Sequence, residues 1–168
     1  MGRVILLMGS AGSGKSTVGA RLAERRGARF VDADGMHPIG NVEKMRAGVP
    51  LAEADRAPWI AVVGSAIDGW LEGDEEVVLA CSALKEAHRR ALWRDEGKMR
   101  LVYLKCSREV LDKRVRERKG HFMEAEMVAS QVADLEEPGW GIVVNGEEGV
   151  EDVVDEMDSR LHECSFTR

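Results

Sequence analysis

A chain of 168 residues, 44% hydrophobic and 32% charged, suits one globular domain with a real core. Its formal net charge of -6 argues against wholesale coating of nucleic acid, and no apolar run approaches the roughly 20 residues that span a bilayer. The first apolar run lacks the pattern of a signal peptide, so the expected compartment is the cytosol. The cysteines Cys81, Cys106 and Cys164 are odd in number and far apart, which points to reduced thiols. No Cys/His cluster has zinc-site spacing.

In chain order, Val4–Met8 reads as a buried strand that opens into a glycine-rich turn. Val18, Leu22 and Ala23 form a helical stripe, and Arg29–Val31 a short strand ending at Asp32. Ile60, Val63, Ile67 and Trp70 share a helical face, with Pro58 expected in that helix's first turn. Val77–Cys81 is a β-branched strand, followed by a helix from about Lys85. Leu101–Leu104 is a fourth strand; Leu111 and Val115 mark one helix, and Val128, Val132 and Leu135 another. Ile142–Val144 is a fifth strand, and Val150, Val153, Val154, Met157 and Leu161 stripe a last helix with an acidic outer face. Strands alternating with helices argue an α/β fold with a parallel sheet covered on both sides. Ligands then bind beyond the carboxyl ends of the strands.

Gly9-Ser10-Ala11-Gly12-Ser13-Gly14-Lys15-Ser16 fits G-x-x-x-x-G-K-[ST] without mismatch, between an expected strand and an expected helix. The glycines let the backbone turn tightly, so that successive N–H groups line one anion-sized concavity. The following helix adds the positive end of its dipole. Gly9 through Thr17 are therefore the expected contacts to nucleotide phosphates. Lys15 is expected to reach the β- and γ-phosphates, and the Ser16 hydroxyl to ligate Mg²⁺. The motif specifies a nucleotide and no particular reaction.

Asp32 and Asp34 follow the second strand. Asp32 is assigned to the hydrated Mg²⁺ and Asp34 to the proton of an attacking hydroxyl. An Asx-type turn is the plainer alternative for the pair. Asp32–Gly35 also fits the D-x-x-G of a GTPase, but no N-K-x-D follows anywhere in the chain. The stretch from His37 to Trp59 is dense in polar and turn residues, which composition alone assigns to a solvated loop anchored by Met45, Leu51 and Trp59. Within it, Lys44 and Arg56 could hold a carboxylate, Arg56 with a planar fork.

The phosphate loop, followed by D-A-D-x-x-H-P-x-x-N-x-x-K-M-x-x-G-x-P-L and D-R-x-P-W between Asp32 and Trp59, resembles gluconokinase of the P-loop kinase type. Two further blocks agree: Cys81-Ser-Ala-Leu-Lys85 with Arg89, and Arg114-x-x-x-Arg118-x-Gly120-His121-Phe122-Met123 with Ser130-Gln131. The sequence departs from the family pattern at Ala52, Glu53, His88 and Glu124, where Thr, Asp, Tyr and Pro are usual.

The resemblance implies a three-layer α/β/α P-loop kinase fold with a five-stranded parallel sheet and a helical lid. It implies a single kinase domain, with a substrate-binding insertion at about 35–75 and a lid at about 114–136. The implied reaction is phosphorylation of D-gluconate by ATP with Mg²⁺, in a homodimer feeding the pentose phosphate or Entner–Doudoroff routes. On this view Asp34 receives the C6 hydroxyl proton, and Lys15 and Arg118 steady the transferred phosphate. Arg114 and Arg118 share a helical face and meet the nucleotide as the lid closes. His37, Lys44, Arg56, Lys85, Arg89, His121 and Gln131 are the candidate substrate contacts. The competing readings are another small-molecule kinase of this fold, such as a shikimate kinase, and an ATP-binding regulator without transfer activity.

Overall fold

The computed structural model describes residues 1–117 and 124–164. Five strands form one parallel sheet: β1 (Arg3–Met8), β2 (Arg29–Asp32), β3 (Glu76–Ala80), β4 (Met99–Lys105) and β5 (Ile142–Asn145), in the order β2-β3-β1-β4-β5. Strand residues alternate between two apolar layers. Val4, Leu6 and Met8 of β1 face one core, with Trp59, Ile60, Val63 and Ile67 of helix α3 (Glu53–Glu72). Ile5 and Leu7 face the other, with helices α1 (Lys15–Arg26) and α7 (Val150–Glu163). Central strands buried on both faces account for the continuous apolar runs in the sequence. The sheet is a five-stranded parallel α/β sheet, as the sequence indicates.

The remaining helices are α2 (Ile39–Arg46), α4 (Glu86–Leu92), α5 (Arg108–Glu117) and α6 (Glu124–Asp134). Helix α2 lies where composition indicates a loop. Its periodicity is weak because Asn41 is its buried residue, while Ile39 is exposed. Pro58 is also displaced from expectation. The Asp55 carboxylate accepts the Ala52 N–H at 2.9 Å, which starts α3 at Glu53 and leaves Pro58 inside the helix. The proline has no N–H to offer the Ala54 carbonyl one turn back.

The acidic face of α7 stays largely solvated, with Glu151 and Asp155 more than half exposed, and it is also paired with α1. Glu151, Asp155 and Asp158 pair with Arg21, Arg25 and Arg26 of α1. Trp93 and Trp140 meet edge to face at 4.6 Å and pack with Trp70 against the first core. No helix among the described residues is long and apolar enough to cross a membrane.

The chain leaves β1 toward one side of the sheet and β3 toward the other, so a crevice opens between their carboxyl ends. The phosphate loop follows β1, and the Asp32–Asp34 segment follows β2.

Candidate active site

The phosphate loop turns through Gly12 at φ +84° and Gly14 at φ +91°, a region closed to most side chains. A Cβ on Gly12 would also meet Leu111 O and Val115 Cγ2 at 3.1 Å, so the loop lies tight against α5. No side chain caps the start of α1, which leaves its first N–H groups available for an anion. Arg114 of α5 donates to the Gly12 and Ser13 carbonyls at 3.4 and 3.2 Å. It therefore stands on the phosphate loop, where the sequence puts a nucleotide contact. A cavity of about 360 Å³ opens there, lined by Gly12, Gly14, Thr17, Arg114 and Glu148 among others.

On the other side of the loop, Ser16 Oγ donates to Asp32 Oδ2 at 2.8 Å. Asp32 Oδ1 accepts the Asp34 N–H at 2.9 Å and caps a short 3₁₀ turn at Ala33–Met36. One carboxylate thus faces the phosphate loop and also aims the backbone that carries Asp34. The two readings of the aspartate pair, turn cap and functional group, coexist. Burial pushes the Cys81 thiol up to about 12, with Asp34 and Asp32 adding to the rise and Lys15 opposing it. Those three charged groups therefore converge on the end of β3.

Asp34 lines a second cavity of about 330 Å³, with His37, Arg56, Ser82, His88 and Gln131 among its polar walls. Trp59, Leu51 and Met127 supply apolar wall. The volume falls in the range of small-molecule sites. His37 stacks on Trp59 with ring centroids 4.2 Å apart, and the Trp59 indole N–H donates to the Ala33 carbonyl at 2.8 Å. Asn41 Nδ2 lies 3.2 Å from His37 Nδ1 and donates to the Asp55 carbonyl. Burial holds the His37 imidazole below its ordinary pKa, which favours the neutral ring with its Nδ1 as acceptor for Asn41.

The cationic candidates separate. Arg56 lines the cavity and bridges Glu53 at 3.1 Å and Asp134 of α6 at 3.0 Å. Lys85 pairs with Glu53 at 2.7 Å. Lys44 is tied to Asp55 at 2.6 Å on the exposed side of α2 and does not line the cavity. Arg89 is corrected outright. It is fully buried, and its guanidinium donates to the carbonyls of Ala83, Leu84 and Glu136 at 2.8 to 2.9 Å. It holds the turn after β3, where Ala83 adopts a strained φ of 42°, and has no donor left for a substrate. Gln131 of α6 reaches the phosphate loop itself, accepting the Ala11 N–H at 2.7 Å. Arg118 and His121 lie outside the described residues.

Glu53, which the sequence singles out as a departure from the family pattern and assigns no contact, is a hub. It accepts from Lys85 and Arg56, and its Oε2 lies 3.0 Å from His88 Nε2. Hydrogen bonds from Lys85 and then His88 hold its carboxyl down at about 2. Nor does periodicity single out Ser82 or Met127, which wall the cavity from the β3 turn and from α6.

A carboxylate beside a hydroxyl-lined phosphate loop, facing a polar cavity with a guanidinium wall, is equipped to pass a phosphoryl group to a small polar acceptor. Comparison with known proteins agrees. A family model described as an AAA domain matches residues 4–138. The chain is similar to a gluconokinase of Gluconobacter oxydans, 40% identical over 158 residues, covering 92% of this chain and 89% of that one. It superposes on the crystal structure of a gluconokinase from Sinorhizobium meliloti with a TM-score of 0.87 at 36% identity, covering 97% and 93% of the two chains. A sugar kinase from a Janibacter species gives a TM-score of 0.87 at 30% identity, covering 99% and 100%. These similarities cover nearly the whole chain, and the chain belongs to the gluconokinase family of P-loop kinases.

Proposed function

We propose that this chain transfers the γ-phosphate of ATP to the C6 hydroxyl of D-gluconate, giving 6-phospho-D-gluconate and ADP. The observation that carries the reading is one cavity lined both by Asp34, beside the phosphate loop, and by the Arg56 guanidinium. An acceptor with a hydroxyl at one end and a carboxylate at the other fits that pairing of groups.

In this mechanism the phosphate loop and Lys15 fix the nucleotide phosphates. Asp34 takes the C6 hydroxyl proton as the oxygen bonds to the γ-phosphorus and the bond to the bridging oxygen breaks, releasing ADP. Ser16 and Asp32 are hard oxygen donors already 2.8 Å apart, a donor set that suits Mg²⁺. Bound there, the ion would offset charge on the β- and γ-phosphate oxygens. His37 holds an acceptor hydroxyl, and Lys85 adds positive charge beside Arg56. Lys44 acts through Asp55, which caps α3. Gln131 and Arg114 tie the lid segment, about 114–136, to the phosphate loop; Arg118 is assigned to the transferred phosphate and His121 to the acceptor. The acceptor segment is about 35–75 of one kinase domain. The enzyme works in the cytosol as a homodimer and supplies the pentose phosphate route.

ADP release with a panel of gluconate, shikimate and neutral polyols tests this. Strong stimulation by gluconate is expected. Strong stimulation by shikimate or another acceptor, with none by gluconate, overturns it.

A further inference from the structure

The acceptor cavity has a second imidazole besides His37. His88 of α4 lines it, and its side chain is 12% exposed. Its Nε2 lies 3.0 Å from Glu53 Oε2. A carboxyl held down at about 2 is ionised at neutral pH and can only accept, so Nε2 must carry the hydrogen. That leaves Nδ1 as the ring's other polar atom, and no described residue bonds to it. Ser13 Oγ is the buried side-chain polar atom without a partner among the described residues, so the unpartnered Nδ1 of His88 keeps accessible surface. A substrate hydroxyl can hydrogen-bond that nitrogen, since a hydroxyl both donates and accepts.

We propose that His88 is an acceptor-binding residue whose Nδ1 hydrogen-bonds a hydroxyl of the substrate, with Glu53 as the positioning residue that holds Nε2 and sets the angle of the ring. The surroundings favour a hydroxyl over the substrate carboxylate. Glu53 lies against the ring at 3.0 Å, and Glu126 adds another carboxylate to the cavity wall. An uncharged polar group of the substrate meets no repulsion there. Glu53 sits at the N-terminus of α3 and His88 on α4, so the pair also fixes the spacing of the two helices on which Arg56 and His88 approach the substrate.

The inference rests on this cavity being the acceptor site. Steady-state kinetics on wild type, H88F, E53Q and E53Q/H88F test it, with thermal melts to compare folding. H88F is expected to raise the gluconate KM about tenfold, with kcat and the ATP KM each within about threefold. E53Q is expected to raise it by a smaller factor, and the double variant to raise it by less than the product of the two, because part of the Glu53 effect runs through His88 and the rest through Arg56 and Lys85. H88N, whose carboxamide puts a polar atom near the Nδ1 position, is expected to keep the gluconate KM within about threefold of wild type, whereas H88Q, whose carboxamide reaches toward Glu53 instead, is expected to raise it as H88F does. The H88F penalty should vanish for one monodeoxy gluconate, the one lacking the contacted hydroxyl. Equal rises in both KM values, additive penalties, or no change in gluconate KM would overturn the proposal. If H88F does not fold, H88N and H88Q decide. A wild type that ignores gluconate but phosphorylates another polyol sinks the gluconate reading alone, and the same variants are then compared on that polyol.

Discussion

Gln131 and Ala11 lie 120 positions apart, yet the Gln131 carboxamide oxygen accepts the Ala11 N–H at 2.7 Å. The contact joins α6 to the loop that binds phosphate. An amide oxygen there is neutral, and a carboxylate in its place would face the incoming nucleotide. Q131E is therefore expected to raise the ATP KM about tenfold, while Q131A changes it by less than about threefold and lowers kcat. Nucleotide titrations and initial rates on both variants check this. Equal ATP affinities in the two would show that the carboxamide does not face the phosphates.

Asp34 is exposed, and its backbone is aimed by Asp32. D34N keeps the shape and removes the base. A kcat loss of about 10² to 10⁴ is expected, with nucleotide binding retained. A variant with kcat near wild type would remove Asp34 from the proton transfer.

Arg56 joins α3 to α6 through Asp134 and pairs with Glu53 on its own helix. R56A is expected to raise the gluconate KM by about 10- to 100-fold and the ATP KM far less. An equal effect on both would place Arg56 outside the acceptor site.

Arg89 predicts a stability effect. Its replacement by Met leaves the buried carbonyls of Ala83 and Leu84 and the half-buried one of Glu136 without a donor and frees the strained Ala83 turn. A loss of about 3 to 5 kcal/mol in urea unfolding is expected. A loss below about 1 kcal/mol would mean that water satisfies those carbonyls.

Glu53 gives a pH signature. Its folded-state pKa is depressed from 4.5 to about 2, so its contribution to stability is present above about pH 4.5 and is lost as pH falls toward about 2. The carboxylate is more than half exposed, so solvent screening keeps that contribution small. The difference in melting temperature between wild type and E53Q should narrow from pH 6 to pH 3. A constant difference would mean that the pairs with Lys85 and His88 do not form in solution.

How much of this was legible in the sequence depended on the range of each interaction. The strands were legible because each is buried on both faces, and the phosphate loop because its chemistry is contiguous. Asp32 and Asp34 were legible by their place after a strand. Arg89 was misread as a substrate contact because burying an arginine requires carbonyls from Ala83 and Glu136, on two separate segments that no local pattern joins. The Glu53 hub has the same origin, since its partners sit up to 35 positions away at His88. Helix α2 was hidden because its buried residue is Asn41, a polar side chain bound to His37 and Asp55, and apolar periodicity cannot register it. Pro58 was misplaced because Asp55 starts its helix a turn early.

The face-to-face stack of Trp59 on His37 gives the acceptor cavity a built-in optical reporter. Of the four tryptophans, Trp59 is the one on the cavity wall, while Trp70, Trp93 and Trp140 pack against the core elsewhere. An acceptor that touches His37 changes the electronic surroundings of this indole and of no other. Emission selected for Trp59 in a background of Trp-to-Phe replacements would therefore follow acceptor occupancy directly, without label, nucleotide or turnover.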